Sequence, residues 1–392
     1  MFTLSNLIKR GANYLFLVVL ARNISIYDMG VFSAYINVVG VVLLITNFGF
    51  SEFILVNSDT KTALKNNITN FIHVSSILLL VLIILSFLIP LESNYLFFLI
   101  LIKVFVEKSI NDMFLAYHQV VKKINVMTIV NTISGSFVLA IVVLYYFFKE
   151  SFYIYLIMID LLYLIILGIL LNKINFKLIS IGKIKEFIQE RFSKLKYYGI
   201  TYITTPLYMM APTVIASFVL KPATLALYQV AFSISNILLL ISISLLQVRY
   251  VRFLELKDDF KELIKALKKT ALEIFIINFA VFVILLIFGK KFLEIVYSKS
   301  AYVEAYYPLL FLLICNMIFM FAAIIAVIMV VRKEQKEKSR YHLEFVIISM
   351  FFGFLLTYSF GVYGLITSYL ILYSYSTIRY ALRYLKINKS IN

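Results

Sequence analysis

The fourth apolar stretch of the chain holds four ionisable residues where hydrocarbon penalises them: Lys103, Glu107, Lys108 and Asp112. A charge near the bilayer centre costs about 2.5–3.5 kcal/mol even on lenient insertion scales, so each such residue needs a partner or a task. Lys103 with Glu107, and Lys108 with Asp112, stand four apart, which puts opposite charges on one helix face. The offset between the two pairs turns the helix by about 140°, so both cannot look into one cavity. Counting about 1.5 Å per residue from Tyr95 places Lys103 and Glu107 near mid-membrane, and Lys108 and Asp112 nearer a boundary. At that depth the first pair could meet an anionic ligand; the alternative is a buried interhelical ion pair with no ligand.

The first apolar stretch adds Lys9 and Arg10 in its early turns and Arg22 at its far end. Snorkelling to the headgroups would account for Lys9 and Arg10. A phosphate-attracting entrance would instead use the bidentate guanidinium. Asp160, midway through the sixth stretch, could couple an ion or relay protons, or bond to a neighbouring helix. Metal chemistry has little to work with, because His73, His118 and His342 share no ligand spacing and Cys315 stands alone. No metal or cofactor is expected.

Membrane-spanning helices must position these side chains. The chain is 62% hydrophobic and 15% charged, against roughly 45–50% and about 25% in soluble domains. Its apolar blocks are long enough to cross a bilayer, about 20 residues each. Spans are expected near residues 2–21, 31–56, 68–88, 95–117, 126–148 and 152–171, then 198–219, 225–248, 271–288, 307–331, 343–360 and 362–382. The fold class is thus all-α integral membrane with about twelve transmembrane helices. Basic residues crowd alternate connections, above all 173–196, 249–269, 332–340 and 379–389, which places those connections and both termini in the cytoplasm.

The net charge of +17 follows from that asymmetry. Basic loops beside spans lie on anionic membrane lipids, so nucleic-acid binding is not expected. Residues 173–198 read as a basic cytoplasmic linker between an N-terminal lobe, 1–172, and a C-terminal lobe, 199–392. Gly30-Val31-Phe32-Ser33-Ala34 opens the second span and Ala226-Leu227-Tyr228-Gln229-Val230 opens the eighth in the same register. Two six-helix lobes in the same orientation imply a pseudo-two-fold along the membrane normal and a central cleft.

Leu20-Ala21-Arg22, Tyr27-Asp28-Met29-Gly30-Val31-Phe32-Ser33 and Asn47-Phe48-Gly49-Phe50-Ser51 resemble the start of polysaccharide transporters in the multidrug/oligosaccharidyl-lipid/polysaccharide flippase superfamily. Phe288-Gly289-Lys290 through Pro308-Leu309-Leu310 is similar to that family's turn before its tenth helix. Phe360-Gly361-Val362-Tyr363-Gly364-Leu365 is similar to the turn before its twelfth. Asn23-Ile24-Ser25-Ile26 departs from the Leu-Gly-Pro-like turn usual after the arginine.

The resemblance implies an O-antigen flippase of the bacterial inner membrane. Such a protein moves an undecaprenyl-pyrophosphate-linked oligosaccharide to the periplasmic leaflet by alternating access, beside polysaccharide polymerase machinery. Its substrate contacts are expected at Lys103, Glu107, Arg22, Lys9 and Arg10, with Asp160 for ion coupling. A drug/cation antiporter of the same superfamily is the rival reading. A membrane polysaccharide polymerase is less well supported, because the outer loop 289–306 lacks an acid/base or nucleophile constellation. The chain is expected not to be an enzyme.

Overall fold

A computed structural model of the chain describes residues 2–47, 83–84, 94–109, 124–148, 151–174, 203–332 and 334–391, which form helices and turns and no strand. Most of the expected span at 68–88 and of the linker at 173–198 lies outside them. The helices are α1 (Phe2–Asn23), α2 (Ile26–Asn47), α3 (Asn94–Ser109), α4 (Ile124–Phe148) and α5 (Phe152–Ile174). They continue as α6 (Ile203–Val219), α7 (Pro222–Glu255), α8 (Phe260–Tyr297), α9 (Tyr306–Val331) and α10 (Gln335–Ile391).

Among the described residues, six helices are long and apolar enough to cross a membrane, and Ile26–Val41 and Ile203–Val219 are shorter apolar ones. Phe147, Phe218, Ile347 and Phe360 are two-thirds or more exposed, a surface that suits lipid rather than water.

The chain forms two compact units. The first holds residues 1–25 and 35–206, the second 26–34 and 207–392, so α2 is divided between them. In the first unit α1 lies along α4, α3 along α5, and α4 along α5. The buried stripe of α1 runs Ser5, Lys9, Ala12, Phe16 and Leu20, spaced three or four apart as one helix face demands. Gly135 brings the α4 backbone against that stripe, since a Cβ there would come within 3.0 Å of the Lys9 Cα.

In the second unit α9 is the central helix and packs against α7, α8 and α10. Pro308 falls in its first turn, where a missing N–H leaves no helical bond unmade. A six-residue 3-10 helix, Ser300–Ala305, leads into it. Gly30 of α2 belongs to this unit too: a Cβ on it would run into the Pro222 carbonyl at the start of α7.

Helix α8 is longer than the expected span at 271–288. Its N-terminal turns are charged yet helical, with Phe260, Leu263, Leu267, Thr270 and Ile274 buried on one side. Asp259 caps them by accepting from the Glu262 N–H at 3.0 Å. The basic stretch read as a connection is therefore in part an amphipathic extension of the span.

Helix α10 is broken where the sequence suggested. Gly361 has φ 61 and ψ −136, a conformation that L side chains rarely adopt. The chain doubles back there, and a Cβ on Gly364 would strike the Leu356 carbonyl. Two guanidinium forks clamp the resulting hairpin. Arg379 donates to both oxygens of Glu344 at 3.0 Å, and Arg383 to those of Glu334 at 2.8 and 2.7 Å. Between the limbs, His342 Nε2 lies 2.9 Å from the Tyr380 hydroxyl.

Candidate functional site

Three helices of the first unit bring charges together: Lys9 from α1, Lys103 and Glu107 from α3, and Asp160 from α5. Glu107 reaches across to α1, where its Oε1 lies 3.4 Å from Lys9 Nζ and accepts from Asn13 Nδ2 at 3.4 Å. Lys9 and Asn13 share a face of α1 because they stand four apart. The expected pairing of Glu107 with Lys103 thus gives way to a tertiary one. Lys9 is only 5% exposed, so its ammonium does not snorkel to a headgroup. It instead sits 5.3 Å from the Tyr163 ring centroid as well as beside Glu107.

That rearrangement leaves Lys103 differently placed from Lys9. Its Nζ lies 6.0 Å from the Phe16 ring centroid, half-buried, and it attracts both Glu107 and Asp160 without touching either. Asp160 is buried, and neither of its oxygens finds a hydrogen-bond partner among the described residues. The Tyr163 hydroxyl stands among Glu107, Asn13 and Ser134 and closes no hydrogen bond of good geometry. Two cations and two carboxylates therefore share one apolar bundle, with one of each sign in direct contact and one of each sign held at a distance. Charges separated from solvent interact more strongly than on a wet surface. A half-buried ammonium without a close counter-ion among the described residues is suited to receive an anion.

The remaining expected residues do not join this cluster. Arg10 is exposed, one position round the helix from the buried stripe. Arg22 lies in the last turn of α1, roughly 20 Å along the helix from Lys9. Asp112 and the Lys108 side chain lie outside the described residues. Sequence reasoning missed Asn13 and Tyr163. Their signal was helical spacing from a charge: Asn13 four after Lys9, and Tyr163 three after Asp160.

The second unit has buried polar groups of another kind. Thr213 Oγ1 lies 2.8 Å from the Tyr228 hydroxyl and 2.6 Å from that of Tyr369, and the Tyr369 hydroxyl donates to the Met209 carbonyl at 3.0 Å. This network is neutral and internally satisfied, a packing device. Among the described residues no three His, Cys, Asp or Glu side chains converge as metal ligands.

Long apolar helices with lipid-suited outer faces and charges gathered inside define a multi-pass membrane protein of transporter fold. The chain is similar to an inward-facing multidrug resistance MATE family transporter of the MOP superfamily, with TM-score 0.67 and 13% identity over 99% of this chain and 96% of that one. It is equally similar in fold to the lipid II flippase MurJ in an inward closed conformation, with TM-score 0.67 and 15% identity over 98% and 87% of the two chains. These structural neighbours are transporters and flippases, not enzymes. No match was found among curated proteins. Residues 1–257 match the family described as polysaccharide biosynthesis protein, and the chain belongs to that family.

Proposed function

We propose that this protein is a flippase that carries an undecaprenyl-pyrophosphate-linked oligosaccharide, an O-antigen or similar repeat unit, from the cytoplasmic to the periplasmic leaflet of the bacterial inner membrane. The observation that carries this reading is Lys103, an ammonium inside an apolar bundle with no counter-ion in contact among the described residues. Membership of a polysaccharide biosynthesis family supports a lipid-linked glycan as the cargo, and in this reading its pyrophosphate head is anionic. A pyrophosphate and its sugars cannot enter hydrocarbon unsolvated, whereas the polyprenyl tail stays in lipid. Twelve helices in two six-helix lobes, with both termini cytoplasmic and a wet cleft between the lobes, would give the head its path. Lys103 meets the pyrophosphate in this scheme, while Lys9 and Glu107 form the ion pair that holds α1 against α3. Arg10 and Arg22 serve as cationic approaches at the two ends of α1.

Deletion of the gene tests this reading. Lipid-linked oligosaccharide should accumulate in the inner leaflet, and surface polysaccharide should disappear. The wild-type gene should restore export and a Lys103→Ala copy should not, at equal membrane abundance. Unchanged surface polysaccharide in the deletion strain would reject the function. The antiporter reading has one observation in its favour: Asp160 is a buried carboxylate without a hydrogen-bond partner among the described residues, which suits a cation. It predicts that Asp160→Asn abolishes efflux of a lipophilic cation from cells in which surface polysaccharide is normal.

A further inference from the structure

At one end of the second unit, the start of α7, the 3-10 helix, the start of α9 and the break in α10 surround a cavity of about 600 Å³, well within the range of about 300–1,000 Å³ seen for small-molecule sites. Tyr307 and Tyr363 line it and are 53% and 49% exposed, so their rings stand open to it. Lys290, Glu304, Ser300 and Thr224 supply its polar wall. Lys290 lies over Tyr306 at 5.4 Å and Tyr307 at 5.6 Å from the ring centroids. Neither Lys290 nor Glu304 forms an ion pair among the described residues.

The walls are held in place before any ligand arrives. The Tyr306 hydroxyl donates to the Leu286 carbonyl at 2.8 Å. Gly289 admits that ring, since a Cβ there would come within 2.9 Å of it, and Lys290 follows directly in the chain. Phe311 meets Tyr363 edge-on at 6.4 Å. Fully buried Tyr302 anchors the 3-10 helix, with its ring 5.2 Å from that of Tyr297.

An apolar ring face beside donors and acceptors is the surface a sugar needs, because a pyranose presents C–H groups on one side and hydroxyls around its rim. Tyrosine offers both an apolar body and a polar tip. One cation and one carboxylate leave the cavity without formal net charge. That balance favours a hydroxyl-rich ligand over a phosphate, which the carboxylate would repel. We infer that this cavity is a carbohydrate subsite, in which Tyr307 and Tyr363 stack on a sugar of the exported glycan while Lys290 and Glu304 hydrogen-bond its hydroxyls. The inference rests on the flippase reading, which puts this end of the unit at the periplasmic face. It goes further by giving the second unit its own hold on the glycan, apart from the charges of the first.

The chain contains no tryptophan, so Tyr307→Trp places a single indole in the cavity while keeping a flat stacking face. The probe is the oligosaccharide freed by mild acid from the host's undecaprenyl-linked glycan, titrated into the detergent-purified full chain. Tryptophan emission should shift saturably, and adding Glu304→Gln or Lys290→Ala should weaken the apparent affinity about tenfold, as expected on losing a hydrogen bond to a charged group. Tyr363→Trp reads the same event from the other ring and guards against a misfolded first variant. A flat titration in both tryptophan variants would overturn the inference. So would an equal shift with phosphatidylglycerol micelles, which would make the cavity a headgroup site. The two readings fail separately: a flat titration beside blocked export in the deletion strain removes the subsite alone, whereas normal export in that strain removes the flippase function.

Discussion

Removing Lys9 alone strands a buried carboxylate, because among the described residues Glu107 would keep only Asn13 in hydrogen-bond contact. Breaking a buried pair from one side costs about 3–5 kcal/mol, whereas replacing both members with apolar residues is often neutral. Lys9→Met should therefore lower the membrane abundance of the protein several-fold, and Lys9→Met with Glu107→Leu should recover it, as quantitative immunoblotting of membranes would show. Normal abundance of the single variant would mean that the pair does not hold α1. Lys103→Ala belongs to a different class and should accumulate like wild type, since no ion pair among the described residues is lost. The sequence located both residues of α3 by their depth in an apolar run, but it paired them with each other because only local spacing is visible in one dimension. The partner of Glu107 comes from α1. The stripe of Ser5, Lys9, Ala12 and Phe16 was the available sign that Lys9 faces inward.

Helices carry these residues, and their limits follow from backbone chemistry more than from hydropathy. Gly361 was legible as a break because a glycine between two long apolar runs offers a turn, and its positive φ fits that reading. Gly361→Ala should destabilise the α10 hairpin by about 1–3 kcal/mol, the usual cost of an L residue in a sparsely allowed conformation. A Cβ there has open space, so the effect is backbone strain rather than a clash. A lowered melting temperature in detergent is the expected result, and an unchanged one would mean that the break relaxes without cost. The extension of α8 through residues 260–270 was not legible from charge counts. A helix need not stop where the membrane does, and its inward residues continue at helical spacing into the basic stretch. Arg249 and Glu273 pair beside it, linking the end of α7 to the amphipathic turns of α8.

For the whole molecule, composition and the alternation of basic connections announced a polytopic membrane protein, and the transporter fold agrees with that class. The grouping of Ile26–Ala34 with the second unit was beyond reach. Sequence order assigns a helix to its neighbours, whereas Gly30 lets α2 lie directly on the start of α7. Orientation is testable in a background lacking the single, buried Cys315. A cysteine at exposed Lys336 should react with an impermeant maleimide only after the inner membrane is opened, and one at exposed Lys291 should react in intact spheroplasts. The reverse pattern would invert the topology. The central claim is transport of an anionic lipid-linked glycan through contact with Lys103. Its most direct test is a reconstituted flipping assay, with purified protein in liposomes containing undecaprenyl-pyrophosphoryl oligosaccharide and a membrane-impermeant glycosidase reporting exposure on the outer leaflet. Wild type should render the inner-leaflet pool accessible, Lys103→Arg should do so in part, and Lys103→Ala should leave it protected. Wild-type rates from well-folded Lys103→Ala protein would contradict the account.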